Sequence, residues 1–246
     1  MSIPHTAFEL FLSSPDAARA RGALTKLTIR DFPAFALTGS LALEAHLNWL
    51  GHGCGIRALN DVDIVVESFE SIPGCLAETF LFRHIHPKAP EGKTLLQLVD
   101  PEAALRIDVF RACGASIARS RQVGFETCSV QLISVEDLAA RTASLVMDLE
   151  LGKEVPLKHA RDFERLAGAI EFDRIEIAWK DHRKDSDPET FREAAARIPG
   201  LLRSRRDLLV IPEYSQDAHS MCPKCEDTGP FRRESPAKIL SILGYC

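Results

Sequence analysis

The sequence predicts an α/β protein of 246 residues that ends in a helical region and a loop-rich tail. Apolar runs of strand length alternate with stretches of helical apolar spacing over residues 1–150. After Gly152 the composition becomes helical and charged, and the last forty residues are rich in proline. We therefore expect an α/β region over 1–150, a helical region over 151–205 and a loop-rich tail over 206–246.

The first predicted helix begins at Ser14-Pro15-Asp16 and continues through Leu27. Proline has a fixed φ that suits the first helical position, and an acid in the first turn interacts favourably with the helix dipole. Asp31-Phe32-Pro33 is then expected to end this helix.

A strand, a tight turn and a helix are predicted next. The strand is Phe35–Thr38, the turn is Gly39-Ser40, and the helix runs over Leu41–Leu50 and ends at Gly51. This arrangement leaves backbone N–H groups free at the helix start, where they can donate hydrogen bonds to phosphate oxygens.

Leu59–Val66 is the following predicted strand, and it carries two carboxylates inside an apolar run. Because successive strand side chains point to opposite faces, Asp61 and Asp63 share one face and the apolar residues share the other. Like charges about 6–7 Å apart raise each other's pKa, and burial against a sheet adds a desolvation cost. A divalent cation that binds both carboxylates is the simplest way to offset this cost.

Three further strands are predicted at Phe80–Ile85, Thr94–Val99 and Leu105–Phe110. Asp100-Pro101-Glu102 supplies a turn between the last two. The last strand carries a third carboxylate, Asp108, inside an apolar run. Arg106 lies two residues earlier on the same strand face, so a salt bridge is the alternative role for Asp108.

The remaining predicted elements are helices. Ser134-Val135-Glu136-Asp137 caps a helix that runs toward Leu151, with its acids near the positive end of the dipole. Pro156–Ala169 and Pro188–Ile198 are the two helices expected in the charged region that follows.

Three segments occur in an order that resembles the nucleotidyltransferase superfamily: Leu37-Thr38-Gly39-Ser40, Asn60-Asp61-Val62-Asp63 and Arg106-Ile107-Asp108. The resemblance covers roughly residues 34–165 and makes residues 1–150 the expected catalytic domain. It implies a mixed sheet flanked by helices. In that family the Gly-Ser turn binds the phosphates of a nucleotide and the Asp-x-Asp pair binds Mg²⁺.

Carried to this chain, the resemblance implies that Gly39 and Ser40 form the phosphate turn. Asp61 and Asp63 are then the Mg²⁺ ligands, and Asp108 is a third ligand or the base for the acceptor. The chain departs from compact versions of the motif, because twenty residues separate Ser40 from Asp61. Three glycines between residues 51 and 55 predict a loop that absorbs this excess.

Arg57, four residues before Asp61, resembles the arginine that precedes the acidic pair in the abortive-infection toxin branch of the superfamily.

The activity implied by the resemblance is transfer of a nucleoside monophosphate from an NTP, ATP included, to a hydroxyl or phosphate acceptor. The acceptor is either a small molecule, such as an aminoglycoside-type antibiotic, or a macromolecule such as tRNA or a protein. The alternative is a noncatalytic binding or toxin–antitoxin-like protein that keeps the fold.

Bulk properties narrow the classes of partner. The formal net charge of −5 and the sequence pI near 5.9 argue against strong general binding of nucleic acid, which needs a basic surface. The chain has no run of about 18 apolar residues, and Met1-Ser2-Ile3-Pro4-His5 does not resemble the start of a signal peptide. We expect a cytoplasmic protein without a membrane partner.

Seven cysteines are too few and too scattered for a disulfide scaffold, and we expect reduced thiols. Cys222-Pro223-Lys224-Cys225 forms a knuckle whose two thiolates have the spacing of Zn²⁺ ligands. His219 and Cys246 are candidates to complete such a site. Free thiols or a redox pair are the alternatives.

Three other groups of polar residues allow both a functional and a structural interpretation. His84 and His86 share a predicted strand face without a third metal ligand nearby, so a solvated edge is favoured over a metal site. Lys88 and Lys93 lie in a loop and are candidates to reach phosphates. The segment 158–162, Lys-His-Ala-Arg-Asp, fits phosphate contacts and a solvated helix face equally well.

Overall fold

A computed structural model describes residues 5–29, 35–53, 55–68, 72–83, 89–125, 128–211 and 231–243. An eight-stranded sheet forms its centre, with the strand order β1-β7-β8-β2-β3-β6-β5-β4. The strands are β1 (His5–Thr6), β2 (Phe35–Thr38), β3 (Asp61–Val66), β4 (Leu81–Arg83), β5 (Thr94–Asp100), β6 (Leu105–Arg111), β7 (Arg121–Phe125) and β8 (Cys128–Leu132).

Helices surround this sheet. They are α1 (Ser14–Ile29), α2 (Gly39–Trp49), α3 (Val135–Met147), α4 (Leu157–Ala167), α5 (Phe172–His182), α6 (Phe191–Ser204) and α7 (Pro236–Leu243). Short 3-10 helices lie at Phe8–Leu10, Gly74–Glu78 and Arg206–Leu208. A separate parallel pair joins β9 (Val155–Pro156) to β10 (Leu209–Val210). Within the described residues, no helix is both long enough and apolar enough to cross a lipid bilayer.

The sheet is mixed, as the sequence led us to expect. β2 runs antiparallel to β3 and parallel to β8, whereas β3 runs parallel to β6. The last residue of β2, Thr38, is paired with Asp63 near the start of β3. The carboxyl ends of β2 and β8 therefore lie at the same edge of the sheet as the amino ends of β3 and β6. Residues that follow β2 and residues that begin β3 and β6 are brought together at this edge.

Several element boundaries differ from the sequence prediction. Helix α2 begins at Gly39 and not at Leu41, so the Gly-Ser turn is the first turn of the helix itself. Helix α6 begins at Phe191 because the Thr190 hydroxyl caps it by accepting a hydrogen bond from the Glu193 N–H at 3.2 Å. It continues past the predicted end through an internal proline. Of the strand predicted at 80–85, the structure describes residues up to 83.

Strands β7 and β8 and helix α5 were not predicted. The two strands are short and form a hairpin whose outward positions are polar, so their apolar pattern is weak. Helix α5 has no side-chain N-cap. It is held by tertiary packing, since Ile175 and Trp179 are fully buried and the Trp179 indole N–H donates to the Pro188 carbonyl at 2.9 Å. Sequence cues at helix ends do not report this kind of stabilisation.

Buried side chains of the C-terminal helices belong to the same hydrophobic cluster as those of the sheet. Phe163, Trp179 and Phe191 contact one another through their rings in this cluster. Helix α3 packs against α4, α5 and α6 and so connects them to the sheet. The division of the chain near residue 151 stays a prediction.

His46 connects α2 to the end of β8. Its Nε2–H donates to the Ile133 carbonyl at 2.7 Å, and the Arg121 guanidinium donates to its Nδ1 at 3.2 Å. These two contacts require a neutral ring with the proton on Nε2. Burial, together with the charge of Arg121, lowers the pKa of His46 to about 4, although the Ile133 hydrogen bond opposes this shift.

We therefore expect acid to destabilise the fold through His46. Its pKa in the folded chain lies below its usual 6.5, so the unfolded chain binds more protons between pH 6.5 and 4. The contribution to the free energy of unfolding is complete above pH 6.5 and falls by on the order of 3 kcal/mol as pH drops through 4. The free energy of unfolding of His46→Gln, measured with urea at several pH values, should change less with pH than that of the wild type. His52→Gln, at an exposed residue, is the control, and its free energy of unfolding should change with pH as that of the wild type does. The same pH dependence in all three proteins would contradict this role of His46.

Candidate active site

Three carboxylates meet at the edge of the sheet where β3 and β6 begin. Asp61, Asp63 and Asp108 each place an oxygen within 4.8 Å of the others. Asp63 is directly paired with Asp108 across the parallel β3–β6 ladder, so their side chains leave the same face at the same level. The alternation of half-buried and buried residues along β3 confirms that Asp61 and Asp63 share a face opposite its buried apolar residues. The structure thus brings together the three acids that the sequence singled out.

This site is electrostatically unfavourable for three ionised carboxylates. Burial raises the pKa of Asp63 well above its usual 3.8, and the charges of Asp61 and Asp108 raise it further. Burial also raises the pKa of Asp108, an effect that Arg106 partly offsets. A divalent cation would supply the missing positive charge, and carboxylate oxygens are the ligands that Mg²⁺ prefers. The residues present therefore fit a divalent cation.

Arg106 contacts two of the three acids. Its Nη2 donates to Asp61 Oδ2 at 2.7 Å, and its Nε lies 3.2 Å from Asp108 Oδ1 in an ion pair. The salt bridge with Asp108 that the sequence left open is therefore present, and the bond to Asp61 is an addition. Gln97 also donates to Asp108 Oδ1, at 3.0 Å, and accepts from Arg83 Nε at 3.1 Å. This buried chain of side chains fixes the orientation of the Asp108 carboxylate.

Gly39 lies against the acidic pair. Its φ of +61° is in the left-handed region, and a Cβ atom there would lie 2.0 Å from Asp63 Oδ2. Only glycine leaves room for the Asp63 carboxylate at this position. Ser40 follows in the first turn of α2 and lines the same cavity as the three acids. The Gly-Ser turn and the carboxylates therefore form one site.

We expect Gly39→Ala to disrupt the carboxylate site more than it disrupts the fold. The new methyl group must displace Asp63, so metal and nucleotide binding should fall together. Gly51→Ala is the matched control, because Gly51 has a similar φ of +75° but an added Cβ would meet no atom within 4 Å. Both substitutions place a side chain at a positive φ and so strain the backbone, but only Gly39→Ala adds a clash with Asp63. Calorimetry with Mn²⁺ and ATP, beside thermal unfolding, compares them. Equal losses of binding in both variants would show that Gly39 acts through strain alone.

A cavity of about 370 Å³ opens over the three acids. The paired positions of β3 and β6 grade from charged to apolar along its floor: Asp61 opposite Arg106, Asp63 opposite Asp108, and Val65 opposite Phe110. Side chains of α3 and α4 form the other walls, among them Leu138, Arg141, Leu145, Lys158, His159 and Asp162. The cavity thus joins a charged end to an apolar end, a combination typical of small-molecule sites.

The segment 158–162 faces this cavity. Lys158 lines the cavity together with the three carboxylates. Burial raises the pKa of Asp63, and the charge of Lys158 partly offsets this effect. Burial lowers the pKa of His159 to about 4, and the charges of Lys158, Arg141 and Arg57 add to this shift. Lys158, His159 and Asp162 therefore line the cavity, whereas Arg161 is exposed and lies outside its lining.

Arg57 lies beside the site and connects helix α2 to helix α4. Its guanidinium contacts Glu44 of α2 at 3.1 Å and Asp162 of α4 at 3.2 Å. Arg165 of α4 binds the same Glu44 carboxylate through two hydrogen bonds of 2.6 and 2.8 Å. Since α2 carries the Gly-Ser turn and α4 carries Lys158, this cluster sets the two walls of the site relative to each other.

Sequence reasoning missed a buried cluster around Asp137 in the cavity wall. Asp137 was predicted as an acid in the capped start of a helix, and the Ser134 hydroxyl donates to it at 2.6 Å. Asp137 also accepts hydrogen bonds from Arg119 at 2.7 and 3.0 Å and lies 2.9 Å from His182 Nε2. These hydrogen bonds lower its pKa in spite of burial. Arg119 and His182 are distant in sequence, so only the folded chain reveals this cluster, which ties α3 to α5.

Several sequence candidates lie outside the described residues. They are His84, His86, Lys88, His219, Cys222, Cys225 and Cys246. The zinc site at Cys222 and Cys225 therefore stays a prediction. Within the described part of the chain, no disulfide joins Cys75, Cys113 and Cys128 to one another.

No family model and no curated protein matches the chain. Solved structures that resemble it include the crystal structure of ANT(2'')-Ia in complex with adenylyl-2''-tobramycin, at 15% identity over 66% of this chain and 94% of that one, with a TM-score of 0.43. The solution structure of the antibiotic-resistance factor ANT(2'')-Ia matches at 12% identity over 76% and 96%, with a TM-score of 0.44. An antigenic nucleotidyltransferase-like protein from Paracoccidioides brasiliensis matches at 13% identity over 82% and 96%, with a TM-score of 0.41. At such identities the activity of each protein is its own, and what this chain does has to be inferred from its own residues.

Proposed function

We propose that this protein is a metal-dependent nucleotidyltransferase that moves a nucleoside monophosphate from an NTP to a hydroxyl or phosphate acceptor. The supporting observation is that a group of carboxylates suited to a cation contacts a helix start suited to a phosphate. Three carboxylates with oxygens within 4.8 Å of one another adjoin Gly39, which opens a helix whose first N–H groups suit phosphate. A site that needed only a cation, or only an anion, would not require both.

Asp61 and Asp63 are the proposed ligands of Mg²⁺. When bound, Mg²⁺ supplies positive charge that stabilises the negative charge developing on the attacking and leaving oxygens. Gly39 and Ser40 offer backbone N–H groups at the start of α2 to the phosphates. Lys158, which lines the same cavity as Gly39 and Ser40, is a further cation for the triphosphate.

Asp108 is the proposed base for the acceptor. Gln97 and Arg106 both contact its Oδ1, which leaves Oδ2 as the oxygen to take a proton or to share a cation. The two contacts also hold the carboxylate in one orientation, as a general base requires. Asp108 lies directly opposite the proposed ligand Asp63, and so it is close to where the phosphate must bind.

The acceptor is the less constrained substrate. The cavity volume of about 370 Å³ suits a nucleotide with a small part of the acceptor inside it. A small molecule such as an aminoglycoside-type antibiotic and the terminal group of a tRNA or protein both meet this requirement. The net charge of −5 argues that a nucleic-acid acceptor would bind through a local surface and not through general attraction.

The test is transfer of label from each of four α-labelled NTPs in the presence of Mg²⁺. We expect label to appear on an acceptor supplied as small molecules, as total RNA or as protein, and to be lost with EDTA and in Asp61→Asn. Nucleotide binding without transfer to any acceptor, and without release of pyrophosphate, would favour the noncatalytic nucleotide-binding alternative. Absence of nucleotide binding would overturn both.

A further inference from the structure

We infer that Arg106 takes the place of one of the two divalent cations that a three-carboxylate site can hold, so that this site works with a single metal ion. The inference depends on the proposed function for the identity of the site, and it concerns metal stoichiometry. In two-metal phosphoryl-transfer sites, the cations lie about 3.5–4 Å apart and share carboxylate ligands. Arg106 is positioned to prevent that sharing.

The strand register places Arg106 between the acids. It is the direct partner of Asp61 across the β3–β6 ladder and lies two residues before Asp108 on the same face of β6. From this position it reaches Asp61 Oδ2 at 2.7 Å and Asp108 Oδ1 at 3.2 Å. Its side chain is 11% exposed, so the pair with Asp61 is shielded from water. Removing Arg106 would leave two buried carboxylates without this cation.

The oxygens that remain are enough for one cation. Arg106 holds one oxygen of Asp61, while Arg106 and Gln97 hold one oxygen of Asp108. Asp61 Oδ1 and the Asp63 carboxylate are left as metal ligands, and Asp108 Oδ2 is left to take the proton of the acceptor. A single Mg²⁺ has six ligands, several of them water or phosphate, and therefore needs no more from the protein. A second cation would have to displace the guanidinium from at least one acid.

The charges lead to the same stoichiometry. Three carboxylates and one guanidinium leave a net charge of −2 at the centre of the site, which one divalent cation neutralises. Lys158 lines the same cavity, but no ion pair joins it to a carboxylate of the site among the described contacts, so it occupies none of the ligand oxygens. Loss of Arg106 should change the metal count, whereas loss of Lys158 should not.

Electron paramagnetic resonance of Mn²⁺ distinguishes one metal ion from two. Bound Mn²⁺ is counted in the wild type, with Mn²⁺ alone and with a non-hydrolysable ATP analogue. We expect one ion per chain and a spectrum without exchange coupling. Arg106→Met removes the charge and keeps much of the length, so it should bind two ions with an exchange-coupled spectrum. Arg106→Lys keeps a cation and Lys158→Met keeps Arg106, and both should stay at one ion.

Each result distinguishes the inference from the proposed function. Two coupled ions in the wild type would overturn the inference and leave the proposed function standing. One ion in both the wild type and Arg106→Met would also overturn it. No bound Mn²⁺ in the wild type, with or without the analogue, would overturn the proposed function itself. If Arg106→Met does not fold, Arg106→Gln, which also removes the charge, takes its place in the same comparison.

Discussion

Asp63→Asn is expected to lower nucleotidyl transfer by about 10²–10³-fold or more while leaving the melting temperature equal or higher. The amide keeps the shape of the carboxyl group but removes charge that holds Mg²⁺ against the phosphates. Asp63 lies at the centre of the site, since Gly39 touches it and Asp108 is its direct strand partner. Loss of this one charge therefore affects metal and phosphate together.

The stability half of this prediction follows from the raised pKa of Asp63. Burial and two neighbouring acids disfavour its ionised form, so the metal-free protein gains nothing from that charge. A neutral amide removes both penalties. A carboxylate that served the fold would show the reverse, because losing a buried hydrogen-bonded partner costs on the order of 1–3 kcal/mol.

Both quantities should be measured on one preparation, with melting recorded in EDTA. Glu67→Gln is the matched control, because it makes the same chemical change at an exposed residue just beyond the same strand. It should alter neither transfer nor melting. If Asp63→Asn melts several degrees lower, or keeps wild-type transfer, Asp63 is a structural acid and not a metal ligand.

Local pattern was sufficient to predict the acidic face of β3. Strand alternation has a period of two, so two aspartates separated by one apolar residue had to share a face once the segment was extended. The same rule placed Arg106 beside Asp108. It could not place Arg106 against Asp61, because that contact depends on the register between β3 and β6, two strands 39 or more residues apart in the chain.

Other parts of the site depend on packing that one segment does not encode. The close approach of Gly39 to Asp63 follows from the antiparallel pairing of β2 with β3. The Asp137 cluster needs Arg119 and His182, which come from a turn and from a helix that had no capping signal. The sequence thus predicted which acids lie on the strands at this edge of the sheet better than it predicted which residues hold them in place.

Glu44→Gln is expected to destabilise the fold by about 3 kcal/mol. Glu44 is 1% exposed, and its carboxylate binds Arg165 twice and Arg57 once. Both arginines remain charged when the carboxylate is neutralised, and they are only about a quarter exposed. Breaking a buried ion pair from one side typically costs 3–5 kcal/mol, and partial access of the arginines to water places this case at the lower end.

The pH dependence has a defined sign. These two arginines lower the pKa of Glu44 below its usual 4.5, although burial opposes them. A carboxylate with a lowered pKa stabilises the fold above its unfolded pKa, and this stability is lost as pH falls through the folded value. The wild type should therefore approach the stability of Glu44→Gln in acid. At pH 7 the two proteins should differ most.

Urea unfolding of a double-mutant cycle with Arg165→Met isolates the pair. We expect the double variant to recover part of the loss, because it no longer buries an unpaired guanidinium. Glu150→Gln is the control, since the Glu150–Arg197 pair has the same chemistry at 3.3 Å but its side chains are 41% and 51% exposed. This substitution should lower the free energy of unfolding by less than about 1 kcal/mol.

The site should respond as well, because Glu44 and Arg165 fix α2 against α4. A Glu44→Gln protein that is as stable as the wild type and binds ATP with the same affinity would show that these helices are positioned by their apolar contacts alone.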